Sequence, residues 1–97
     1  MAQKGTLSNN TSYRIGKQVF IALDFIGIGT TADTTTTIAN ISLDKNKPIK
    51  NVVPSMATSF VSTGINSWIA NDGKINIRTS TAISNSIVKV VASFIAT

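Results

Sequence analysis

Apolar positions in this chain alternate instead of recurring at a helical interval. Over residues 18–28, Val19, Ile21, Leu23 and Phe25 fall on one side and Phe20, Ala22 and Asp24 on the other. That is the period-two pattern of a strand with one face buried, and the first set is the expected core face. Gly16-Lys17 supplies the glycine that a type II′ turn needs at its first central position. Residues 12–15 and 18–28 should therefore form a hairpin. A second hairpin is expected around Asn71-Asp72-Gly73. Asp72-Gly73 suits a two-residue type I′ loop, which would pair Ala70 with Ile75 and Trp68 with Ile77 on one face. Ile69, Asn76 and Arg78 would then share the other.

The remaining segments extend the same reading. Residues 30–37 hold six threonines, whose β-branching favours extended backbone. A loop to about Asp33 and a strand through Leu43 follow. Residues 44–48 read as a turn, because Pro48 disfavours a helical Lys47. Two short strands, 49–53 and 56–62, are expected on either side of Pro54, which cannot sit inside a central ladder. Residues 80–86 read as a polar connection before a closing strand over 87–96. That strand is apolar on both sides: Val88, Val90 and Phe94 on one, Ile87, Val91 and Ile95 on the other. Such a strand is central in a sandwich or pressed against another subunit. No apolar 3.6 period persists over three turns. The expected fold is all-β, a compact antiparallel β-sandwich of about seven or eight strands. Residues 12–97 would be a single domain, after a polar lead-in over 1–11.

Composition sharpens this picture in two ways. Only 13% of the 97 residues are charged and none is Glu, a thin supply for a domain surrounded by water. It suits a domain that lies against copies of itself or neighbouring subunits. The net charge of +5 is spread along the sequence, with one local concentration at Lys45-Asn46-Lys47-Pro48-Ile49-Lys50. A solvated lysine loop is the plainer account of that run, since nucleic-acid modules pair a tight basic stripe with stacking aromatics. No segment reaches the ~20 apolar residues of a membrane span. The N-terminus lacks the apolar stretch of a secretory signal. The chain is expected to be made in a cytoplasm, to be soluble and to have no membrane partner.

Catalytic chemistry is hard to assemble from these residues. Without His or Cys, Ser-His-Asp and Cys-His arrangements and the common zinc sites are excluded. Paired-carboxylate catalysis would need two of Asp24, Asp33, Asp44 and Asp72 to converge, and three of these lie in expected turns or loops. Gly27-Ile28-Gly29 lacks the spacing, lysine and helix of a phosphate loop. Asn71-Asp72-Gly73 is a fragment of a calcium loop without its later ligands. No enzyme, cofactor or metal is expected. Tyr13 and Trp68 each combine an apolar plate with a polar handle, as a sugar-stacking platform does. With Trp68 opposite Ile77, core or interface packing is the plainer account of that residue.

Several segments in order resemble a known pattern. Residues 13–21, from Tyr13-Arg14-Ile15-Gly16, are followed by a threonine-led strand over 36–43. Next come Lys47-Pro48-Ile49-Lys50-Asn51-Val52-Val53-Pro54, the Asp-Gly hairpin over 64–78, and a last strand. This set, spanning roughly residues 11–97, resembles the C-terminal ends of phage tail-tip proteins: baseplate upper proteins, tail fibres and related receptor-binding proteins of phages with Gram-positive hosts. The resemblance implies a homotrimeric β-sandwich in the virion tail, made in the host cytoplasm. It would bind a host surface polysaccharide or hold the subunit that does, alongside other tail and baseplate proteins. Tyr13, Trp68, Asn71, Asp72 and Arg78 are then the candidate ligand contacts, and Ile87, Val91 and Ile95 the candidate oligomer interface. The alternative is a small basic β-barrel-like module binding single-stranded nucleic acid through Lys74, Arg78 and residues 45–50. Its binding would weaken steeply with salt, whereas a contact made through hydroxyls and amides would hardly respond.

Overall fold

The computed structural model describes residues 4–58 and 65–96. Among them, eight strands form two antiparallel sheets. They are β1 (Thr6–Asn10), β2 (Tyr13–Ile15), β3 (Gln18–Thr30), β4 (Thr36–Asn40), β5 (Ser55–Thr58), β6 (Ile65–Ile69), β7 (Lys74–Thr79) and β8 (Ile83–Ile95). The larger sheet runs β1-β3-β8-β5, with β2 also paired to β3; the smaller runs β4-β7-β6. A single 3-10 turn, Asp44–Asn46, is the one helical element of the described residues. The fold is the expected all-β antiparallel sandwich.

Alternation decides the core. Val19, Ile21, Leu23 and Phe25 of β3 and Val88, Val90 and Phe94 of β8 are buried on the inner face of the larger sheet. They meet Ile38, Ile69, Ile75 and Ile77 from the smaller sheet, as in two sheets packed face to face. β3 and β8 are the spine, 13 residues each, paired from Gln18–Ile95 at one end to Thr30–Ile83 at the other. The β2–β3 turn is as expected: Gly16 takes φ +59° while Lys17 stays at negative φ, the type II′ arrangement.

The second hairpin differs from its expected form, and the difference inverts a face. Gly73 N donates to Ala70 O (2.9 Å) and Ala70 N to Lys74 O (2.9 Å), so three residues, Asn71, Asp72 and Gly73, form the loop. Asn71 and Asp72 keep negative φ and Gly73 takes +92°. That is a type I turn closed by a left-handed glycine, not a type I′ pair. The register becomes Ile69–Ile75, Trp68–Asn76 and Ser67–Ile77. Ile69 therefore joins Ile75 and Ile77 in the core, and Trp68 faces outward beside Asn76. One residue of loop length exchanges the two faces. At Gly73 an added Cβ would stand 2.6 Å from Ile41 O, so the glycine is required by space as well as by φ.

Other boundaries also moved. The polar stretch read as a lead-in forms β1, an exposed edge strand on β3, because ladder bonds are made by backbone and ask nothing of the side chains. The threonine-led strand ends at Asn40, short of Leu43. Residues 49–53 make an isolated bridge, Val52–Ile69, in place of a strand. Of the strand expected at 56–62, the part from residue 59 lies outside the described residues. β8 begins at Ile83, inside the expected polar connection, because Asn85 at φ +47° shifts the alternation so that Ile83 and Ser86 both turn inward.

Candidate functional site

The outer face of the larger sheet carries a row of exposed apolar side chains. Going along β8, its outward residues are Ile87, Lys89, Val91, Ser93 and Ile95, with Ala22 beside Val91 and Phe20 beside Ser93 on β3. Tyr13 pairs with Phe20 across β2–β3, and the two rings stack at 4.7 Å with 16° between their planes. Val53 projects at the β5 side, 81% exposed, over a shallow depression shared with Tyr13, Phe20 and Val91. The three residues expected at an oligomer interface, Ile87, Val91 and Ile95, are each about half exposed. The closing strand is thus both central in its sheet and uncovered on one side. A cross-strand couple of opposite charges, Asp24 and Lys89, interrupts the row between Val91 and Ile87.

The outer face of the smaller sheet is polar with one plate. Trp68, Asn76 and Thr37 form a row across β6, β7 and β4. Thr37 Oγ1 donates to Asn76 Oδ1 (2.6 Å), and Asn76 Nδ2 points to Lys74 O (3.4 Å). Asn76 is buried between its neighbours although it belongs to the outer face, while Trp68 is half-buried. Arg78 is two residues beyond Asn76 on the same face. The packing account of Trp68 rested on Ile77 being opposite it; the register puts an amide there instead. That face therefore carries an indole plate beside an ordered amide–hydroxyl pair.

The five candidate ligand contacts do not form one site. Trp68 and Arg78 share the smaller sheet's outer face. Asn71 and Asp72 lie at the β6–β7 tip, where Asn71 N donates to Asn51 Oδ1 (3.1 Å) and Asp72 Oδ1 accepts from Lys74 N (3.0 Å). Tyr13 is on the opposite sheet. Asn76 and Thr37 were missed because an outward Asn between Lys74 and Arg78 is an ordinary polar position of an alternating strand, and gives no signal until the register is known.

Between the sheets, on the side of β1, β2 and β4, a cleft of about 320 Å³ opens. Its walls are core residues such as Val19, Leu23, Phe25 and Ile75, with Asn40, Ser42 and Asn46 near the mouth. Arg14, also at the mouth, is committed: Nε donates to Gly16 O (2.5 Å), and Nη1 to Lys45 O and Asn46 Oδ1. Among the described residues, no carboxylate lines the cleft.

The charges, dispersed in sequence, are gathered in space. Arg14, Lys17, Lys45, Lys47, Lys50 and Lys74 all belong to the end of the sandwich where the β2–β3 turn, the 41–51 connection and the β6–β7 tip meet. No family model, no curated protein and no solved structure matches the chain.

Proposed function

We propose that this chain is a non-catalytic structural and adhesive module of a phage virion, assembled as a homotrimer at the tail tip or baseplate. The observation that carries the reading is the uncovered apolar face of the larger sheet. A sheet face that meets water is ordinarily polar at alternate positions. Here Ile87, Val91 and Ile95, with Ala22, Phe20 and Val53, stand where polar residues belong. Since each is already about half covered, burying the rest of the three β8 side chains against neighbours is worth roughly 0.7–1.5 kcal/mol each before the costs of association. The ordered resemblance over residues 11–97 supports the virion setting.

Adhesion would fall to the other sheet, where Trp68, Thr37 and Arg78 offer a plate, a hydroxyl and a cation to a host surface saccharide, with the buried Asn76 amide holding the Thr37 hydroxyl in place. Three such weak sites on one trimer convert poor affinity into firm attachment without turnover. The alternative, single-stranded nucleic-acid binding, needs stacking plates beside the cations. Tyr13 is stacked on Phe20 on the other sheet, which leaves Trp68 as the single plate beside Lys74 and Arg78 among the described residues; a saccharide contact needs no run of plates, which favours the adhesive reading.

Static light scattering at micromolar concentration and moderate salt tests the assembly. The parent should give the mass of three chains and Val91→Lys that of one. A parent of single-chain mass removes the trimer. Binding to host wall polysaccharide should be lost in Trp68→Ala with the fold intact; unchanged binding removes the platform.

A further inference from the structure

We infer that the basic end of the sandwich docks peripherally on the surface of an anionic bilayer. The sequence expectation of no membrane partner concerned spanning segments, and a peripheral contact needs none. Six of the nine basic residues and two of the four acids belong to this end, so it carries a net +4 of the chain's +5. They come from three separate loops. Polybasic surfaces are drawn to anionic lipid through the surface potential, by an amount that multiplies with each added charge.

Charge alone would suit any polyanion; the apolar residues among the cations decide the occupant. Leu43 is 55% exposed and Ile49 58%, whereas Ile15, in register with Gln18 and Ile95, belongs to the outer face of the larger sheet. Leu43 precedes Lys45 by two residues, and Ile49 lies between Pro48 and Lys50. A hydrated anionic polymer offers such aliphatics nothing. A bilayer interface takes them into the boundary between headgroups and acyl chains while lysine stems let the ammonium groups stay at phosphate depth.

The end is also rigid enough to present this mixture as one surface. Arg14 ties the β2–β3 turn to the 3-10 turn through Lys45 O and Asn46 Oδ1. Asn46 N closes that turn on Leu43 O at 2.9 Å. Pro48 bridges to Ala96, Ile49 N donates to Ile95 O (3.3 Å), and Ala96 N donates to Lys17 O (2.8 Å). The stem of Lys47 lies over Gly73 at the β6–β7 tip. Little ordering remains to be done on contact, which favours binding.

This inference does not depend on the proposed trimer, and the test keeps them apart. Co-sedimentation with vesicles of equimolar phosphatidylglycerol and phosphatidylcholine, at low salt, should capture both the parent and the Val91→Lys variant, the single chain with the lower affinity that the loss of avidity entails. Vesicles of phosphatidylcholine alone should not. Lys17→Gln, Lys45→Gln and Lys50→Gln combined should lower partitioning by roughly a hundred-fold. Leu43→Asn with Ile49→Asn should lower it about ten-fold or more, with the urea midpoint and the solution mass unchanged. Failure of the parent to bind anionic vesicles overturns the inference. So does equal binding by the Leu43→Asn, Ile49→Asn variant, which makes the contact purely ionic. Tighter binding to single-stranded DNA than to the vesicles at the same salt overturns it too.

Discussion

The hydroxyls of Thr30 and Thr79 share a hydrogen bond from one sheet to the other, at 2.5 Å, and neither residue reaches solvent. Thr30 Oγ1 also accepts from Ile83 N (3.3 Å), so it serves two partners where Thr79 Oγ1 serves one. Thr79→Val should destabilise by about 1 kcal/mol, and Thr30→Val by about 1–3 kcal/mol because it also strands a buried N–H. The double variant should cost less than the sum of the two. Urea midpoints of the three proteins measure the coupling, and strict additivity would mean that the bond contributes nothing.

Replacing Gly73 by Val meets two obstacles at once, a φ of +92° and the carbonyl of Ile41. The expected loss is about 2–4 kcal/mol, read from urea unfolding. A neutral result would mean that the three-residue loop and its αL glycine are not present in solution.

The hairpin register makes an ordering of two neighbours. Ile69 is fully buried and Trp68 only partly so. Ile69→Ala should therefore cost about 2–5 kcal/mol and exceed Trp68→Ala, despite the larger side chain lost from the tryptophan. The reverse order would restore the two-residue loop.

Arg14 holds the 3-10 turn to the β2–β3 turn through three acceptors. Arg14→Gln should leave the core intact and open that corner. In hydrogen exchange the Asn46 N–H should lose protection, while Val90 N–H in the central ladder should not change. Equal loss at both sites would mean that the corner and the core unfold together.

Much of this molecule could be read from alternation. Val19 through Phe25 and Val88 through Phe94 kept strict period two because each packs one face against the core, and their inner faces came out as expected. Legibility stopped where the backbone departs from regular pairing. Asn71-Asp72-Gly73 is compatible with loops of two or three residues, and only tertiary packing chooses between them. Asn85 shifts the phase of β8, so Ile83 looked like part of a polar connection. β1 gave no apolar signal because an edge strand needs only its backbone. The candidate surfaces were legible in part: Ile87, Val91 and Ile95 were found as a row, whereas the Trp68-Asn76-Thr37 row needed the register. Of the basic end, residues 45–50 stood out as a local concentration and were grouped with Lys74, whereas Arg14 and Lys17 joined them only once the β2–β3 turn was placed beside the 3-10 turn.

The pairing of β3 with β8 also determines how the domain would bear load. β1 starts beside the far end of β3, with Thr6 opposite Ile26, and β8 ends beside Gln18 at the near end. A pull applied at Thr6 and Ile95 in opposite directions runs along the strands, while the ladder bonds lie across it. The bonds of β1–β3 and β3–β8 are then strained together, in shear, with no terminal pair free to peel first. Loaded along that axis, the domain would resist as a block and yield in one abrupt step. Pulled sideways from an edge, it would open like a zipper at far lower force.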